Sequence, residues 1–233
     1  IDRVMEHYRL DAHIPGMVWG VVKDGRLVHV KGAGVQDVDA KRPVTADTLF
    51  RIASMTKPVT SVGIMMLYEQ GKLDLGDPVG KYLPAYQGRD VISTFNEGSA
   101  AYTTRPAKRE MTIRHLLTHT AGLAYPFTSP TILAIQTQTG RDPKALPLLF
   151  DPGTKWNYSP ATAVLGDIIE KLSGRSIEAW DQERIFRPLG MVDTTYSPAA
   201  EKVARLATVH QRESGGLVEA ANPPTYAPDV RGD

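Results

Sequence analysis

Ser54-Met55-Thr56-Lys57 is the stretch whose residue types and spacing can do chemistry. A serine hydroxyl is a weak nucleophile until a neighbouring base takes its proton, and a lysine three positions later stands on the same helical face, within reach of it. Lysine serves as that base only when neutral. Burial favours the neutral amine, and the positive end of the helix dipole works the same way by disfavouring an ammonium. Backbone amides at the same helix start can stabilise a developing oxyanion. A second group stands about a hundred residues on, in Asp151-Pro-Gly-Thr-Lys-Trp-Asn-Tyr158-Ser159-Pro160. Tyr158 follows a Pro-Gly turn and precedes a helical pattern, so its phenol sits at a loop end, where it can share a proton with Lys57 and relay one from Ser54 to a leaving group. The plainer readings are an N-cap serine beside a surface lysine, and a packed aromatic at position 158.

Other motifs carry less. Gly-x-Ser-x-Gly and a Walker loop do not occur. Gly32-Ala-Gly34 opens like a dinucleotide fingerprint, but Asp37 stands where the third glycine belongs and a hairpin precedes it. His115 and His119 have the i, i+4 spacing of two metal ligands, yet Leu116 occupies the place of a zinc protease's glutamate, which favours hydrogen-bonded helix-end histidines. Arg231-Gly232-Asp233 reads as an exposed turn.

The elements that must position Ser54, Lys57 and Tyr158 can be read from periodicity. From Ser54, a pattern apolar nearly all round (Val59, Val62, Ile64, Met65, Met66, Leu67) predicts a central helix that ends at Gly71. Pro58 falls in its opening turn, where an N–H has no intrahelical partner to lose. Upstream, residues 1–10 read as an amphipathic helix, and residues 17–23 and 26–31 as two strands around Asp24-Gly25, a dipeptide suited to a type I′ turn. Thr48 to Ile52 is a further short strand candidate, and the strand-rich part stops there. Gly88 to Glu110 is expected to be an insertion or flexible loop. Helical spacing returns over residues 111–118, over 161–172 with Gly174 as C-cap, and over 177–186. The tail from Gly215 reads as loop. Together these patterns predict an α/β (α+β) protein, a sheet with a helical subdomain.

Composition bounds the function. The 233 residues are 42% hydrophobic and 23% charged, with 27 Lys and Arg against 26 Asp and Glu, so an ordinary soluble globular chain with a small-molecule substrate is expected. Nucleic acid is not expected as a partner, because no basic block stands out. Without cysteine there is no thiol nucleophile, disulfide or thiolate metal site. No run is long and apolar enough for a membrane span. No signal peptide is visible, which leaves both a cytoplasmic location and a periplasmic or secreted one after processing. Oligomeric state is not legible.

Ser54-Met-Thr-Lys57, Thr112-Ile-Arg-His-Leu-Leu-Thr-His-Thr-Ala-Gly-Leu123, Pro152-Gly-Thr-Lys-Trp-Asn-Tyr158-Ser159 and Ile185-Phe-Arg-Pro-Leu-Gly-Met191 resemble successive blocks of the serine β-lactamase-related family. That family includes class C β-lactamases, D-alanyl-D-alanine carboxypeptidases and family VIII carboxylesterases. The resemblance implies a β-lactamase/transpeptidase-like fold, an antiparallel sheet flanked by helices plus an all-helical subdomain, and acyl-enzyme catalysis without metal or organic cofactor. Ser54 would be the nucleophile, Lys57 its proton acceptor and Tyr158 the partner in acid–base transfer. The expected division is residues 1–75 as the first part of the sheet domain with the nucleophile helix, 76–195 as the helical subdomain and 196–233 as the return to the sheet. Pro160 replaces the asparagine of the Tyr-x-Asn motif, as in the esterase branch, and offers no side-chain hydrogen bond to a substrate amide. A carboxylesterase on small esters is therefore the first expectation, a β-lactamase or D,D-peptidase on the same site the second, and a non-catalytic penicillin-binding-like protein the third. The family's late Lys/His-x-Gly motif is not found after Tyr158; Lys23-Asp-Gly25 has the letters but lies in the early hairpin. The chain is accordingly expected to lack the last part of the sheet.

Overall fold

A computed structural model describes residues 1–214 and 216–219. They divide into two compact units, Ile1–Ile52 with the segment from Thr195, and Ala53–Thr194.

In the first unit, helix α1 (Asp2–Asp11) precedes strands β1 (Gly16–Lys23) and β2 (Arg26–Asp37). The expected hairpin forms. Asp24 and Gly25 both have left-handed φ (50° and 71°), as a type I′ turn requires, and Lys23 pairs with Arg26. The Asp2 carboxylate ties α1 to the hairpin: it accepts from Trp19 Nε1 at 2.9 Å, contacts His29 Nε2 at 2.7 Å, and is held down at about 2 by these partners. β3 (Arg42–Pro43) extends the sheet. Thr48 to Ile52 does not form the expected strand. It makes a single bridge, Leu49 to Leu206, because β propensity is realised only where a pleated neighbour is available. Helix α2 (Thr56–Glu69) opens the second unit's helical series; the first unit closes with a short helix, Ala200–Val203, and the antiparallel pair His210–Glu213 and Gly216–Glu219. The latter strand corrects the reading of loop from Gly215 onward; Gly215 itself and residues 220–233, with Arg231-Gly232-Asp233, lie outside the described residues.

The second unit carries the helices. A 3₁₀ turn (Ala53–Met55) leads directly into α2. Ile64 and Leu67 are fully buried, and Gly63 lets α5 (Ala161–Ser173) approach closely: a β-carbon there would stand 2.9 Å from Ile169 Cδ1 and 3.0 Å from Trp180. α3 (Ile113–Leu117) buries Ile113 and Leu116. α5 is buried over most of its first two turns and ends, as expected, at Gly174 with φ 68°. α6 (Ile177–Asp181) continues into a π-helical turn, Gln182–Phe186. α4 (Pro130–Thr139) was not expected, although Ser129 caps its Ile132 amide, proline opens it and left-handed Gly140 ends it.

Gly88 to Glu110 is not a flexible loop. It forms an antiparallel hairpin of β4 (Asp90–Phe95) and β5 (Tyr102–Pro106), so the strands do not stop near Ile52. Polarity hid it: Thr94, Thr103 and Thr104 are hydrophilic yet β-branched, and the Thr94 and Thr103 hydroxyls meet across the strands at 2.6 Å. Ile92, Phe95 and Tyr102 of this hairpin pack on a buried cluster of Ala124, Ile132, Ile135 and Leu146.

Candidate active site

Ser54 lies in the 3₁₀ turn and is exposed, whereas Lys57, in the first turn of α2, is only 9% exposed. The residue before the serine, Ala53, has φ 42°, a left-handed backbone that a non-glycine residue adopts at a cost on the order of 1 kcal/mol. This kinked entry sets Lys57 Nζ 3.3 Å from Ser54 Oγ. No side chain caps the start of α2, and the positive end of its dipole points to the 3₁₀ turn that carries the serine.

Tyr158 reaches the same place from a different segment. Asp151 anchors that segment to the β4–β5 hairpin: Arg105 grips it bidentately at 3.0 and 2.7 Å, the Lys108 amide adds a third contact at 2.8 Å, and these partners hold the carboxyl far below the usual carboxylate range. Gly153, with φ 84°, then turns the chain where a β-carbon would strike His115 Nε2 at 2.8 Å. The Asn157 amide donates to His119 O at 2.9 Å, and α5 begins three residues after Tyr158. Pro160, buried, is the N-cap of α5.

Lys57 Nζ stands 5.2 Å from the centre of the Tyr158 ring and 5.6 Å from that of Tyr125. Burial, the largest single influence, pushes the amine down. Hydrogen bonds and charge from Tyr158 and Tyr125 push it up and prevail, so Lys57 is held above its ordinary 10.5. The neutral lysine expected from burial is thereby corrected: two phenols around the amine favour the ammonium.

The spacing of Ser54 and Lys57 and the loop-end setting of Tyr158 identify three groups that the fold brings together. Two further residues, Tyr125 and Thr128, are not among the sequence candidates, and His119 has a larger part than its helix-end reading gave it. Tyr125 follows the buried run Ala121–Ala124 and left-handed Gly122, and its ring stacks on Phe127 at 4.8 Å and contacts Tyr158 at 5.7 Å. Thr128 knots the two tyrosine segments: its Oγ1 lies 3.0 Å from both Tyr125 O and Tyr158 O and accepts from the Tyr125 amide at 3.1 Å and from Asn157 Nδ2 at 3.2 Å. His119, read as a helix-end histidine, packs on Tyr158 at 5.0 Å, and its Nδ1 lies 3.2 Å from Ser159 Oγ. Burial first, and Lys57 second, push its imidazole below the ordinary 6.5. His115 stays at the helix end, where its Nδ1 accepts from the Thr112 amide at 3.2 Å. The signal available for Tyr125 was its place two residues after the Gly122-Leu123 that closes a recognised block.

The Beta-lactamase family model matches residues 1–230. Esterase EstB of Burkholderia gladioli is 31% identical over 214 residues, which cover 85% of this chain and 51% of that protein; the lovastatin esterase of Penicillium rubens is 29% identical over 84% of this chain and 52% of its own length. Among solved structures, a mutant of simvastatin synthase LovD from Aspergillus terreus superposes with a TM-score of 0.85 at 29% identity, over 95% of this chain and 57% of that one. A class C β-lactamase at 23% identity (TM-score 0.72, 99% of this chain, 59% of that one) shares the fold. The chain spans about half the length of the curated relatives it matches. With the serine–lysine pair and the family model in agreement over nearly the whole sequence, the chain belongs to the beta-lactamase family.

Proposed function

We propose that this chain acts as a serine hydrolase that cleaves small carboxylic esters through an acyl-enzyme at Ser54. The observation that carries the reading is the 3.3 Å contact of a buried Lys57 with an exposed Ser54 hydroxyl, with Tyr158 as the ammonium's further partner. Lys57, keeping its proton, stabilises a Tyr158 phenolate electrostatically, and the phenolate accepts the Ser54 proton as Oγ bonds to the ester carbonyl carbon. The positive end of the α2 dipole favours the negative oxygen of the tetrahedral intermediate. When the intermediate collapses, the C–O bond to the alcohol breaks, Tyr158 returns the proton to the leaving oxygen, and the acyl group stays on Ser54. Water then repeats the sequence in reverse and releases the acid.

Pro160 supports esters over lactams, because the position offers no side-chain amide to a substrate amide. The esterase relatives support the same choice. Comparing p-nitrophenyl butyrate with a chromogenic cephalosporin tests it: kcat/KM for the ester is expected to exceed that for the lactam by about a hundredfold, and the reverse order makes the lactamase reading the better one. Absence of both turnover and a fluorophosphonate adduct on Ser54 favours a non-catalytic penicillin-binding-like protein. Among the described residues no helix is long and apolar enough to cross a membrane.

A further inference from the structure

His119 holds the Tyr158 segment at three consecutive residues. Its carbonyl accepts from the Asn157 amide at 2.9 Å, its ring lies 5.0 Å from that of Tyr158, and its Nδ1 meets the hydroxyl of Ser159, itself 1% exposed, at 3.2 Å. The Trp156 ring meets the imidazole edge-on at 6.2 Å. His119 also has φ 54°, in the left-handed region, so its backbone is bent to make this grip. None of these contacts belongs to the proton path proposed above. We propose that His119 is a positioning residue for Tyr158: the neutral imidazole fixes where the phenol meets Lys57, and protonating it loosens that placement.

The titratable groups facing the ring are Lys57, from α2, and Tyr158. On its own segment, Arg114 acts on His115 instead. A protonated imidazole would set a second buried cation near Lys57, and both burial and that charge oppose it. Activity governed by this placement therefore falls as pH drops below the ordinary 6.5 of histidine, while the neutral form works above it.

The inference rests on Ser54 being acylated, and two measurements keep the two claims apart. In the first, steady-state hydrolysis of p-nitrophenyl butyrate is followed from pH 5 to 9 in wild type, His119→Phe and His119→Asn. Phenylalanine keeps a ring but leaves the buried Ser159 hydroxyl without its partner, and kcat is expected to fall about ten- to a hundredfold with KM within about threefold. Asparagine tolerates the left-handed backbone and places a polar atom where Nδ1 was, without titrating. It is expected to restore kcat to within about threefold at pH 8 and to retain a larger share of that rate at pH 5.5 than wild type does. In the second measurement, imidazole ¹⁵N NMR follows His119 in wild type and Lys57→Met; removing the ammonium is expected to raise the histidine's midpoint. An unchanged kcat in His119→Phe, an unaltered acid limb in His119→Asn, or a midpoint indifferent to Lys57→Met overturns the proposal. If wild type turns over no ester, the hydrolase reading fails, and the NMR titration still decides for or against the coupling. If His119→Phe does not fold, His119→Asn and the titration decide.

Discussion

Lys57 shows why a residue's chemistry is not a property of its burial. Low exposure alone would remove the proton, but the phenols of Tyr158 and Tyr125 supply hydrogen bonds and negative charge when ionised, and the balance falls on the side of the ammonium. In the proposed mechanism the base is therefore the Tyr158 phenolate, with the ammonium as its electrostatic partner. Tyr158→Phe is expected to lower kcat for p-nitrophenyl butyrate by about 10²–10⁴-fold, the range of a lost acid–base group, while Ser54 and Lys57 keep their 3.3 Å contact; stopped-flow release of nitrophenolate measures it. Ser54 and Lys57 were legible in the sequence because their relation is local, three residues on one turn. The charge state of Lys57 was not, since it depends on Tyr158 and Tyr125, which long stretches of intervening chain bring to the amine.

At the scale of elements, the site is held by two joints between loops. Thr128 joins the Tyr125 and Tyr158 segments through a single hydroxyl, so Thr128→Val leaves the Asn157 amide group and the Tyr125 N–H short of a partner. It is expected to cost about 1–3 kcal/mol of stability in urea unfolding and to lower kcat more than it changes KM. Asp151 joins the β4–β5 hairpin to the start of the Tyr158 segment. Its carboxyl is held below its ordinary 3.8, so its contribution is fully present above that pH and is lost as pH falls from there toward the depressed value. The melting-temperature gap between wild type and Asp151→Asn is therefore expected to be constant from pH 5 to 8 and to shrink below pH 3.8. Helices with apolar periodicity and glycine stops, such as α5, were readable, as was the Asp24-Gly25 hairpin. The β4–β5 hairpin was not, because hydropathy counts threonine as polar whereas a strand's edge accepts its β-branched shape.

For the whole molecule, near-neutral composition and four ordered sequence blocks pointed to a small-molecule hydrolase, and the family model covers the same span. Family membership leaves the leaving group open, since esterases and a lactamase share this fold. The proposed mechanism requires a covalent intermediate at one atom, Ser54 Oγ, formed only with Lys57 beside it. The direct measurement is tryptic mass spectrometry of the protein quenched during turnover of p-nitrophenyl butyrate, on wild type and Lys57→Met in parallel. A butyryl group on the Ser54 peptide of wild type, and its loss in Lys57→Met, is the predicted result; a butyryl group on another residue, or an equal yield of acyl-Ser54 without the lysine, would contradict it.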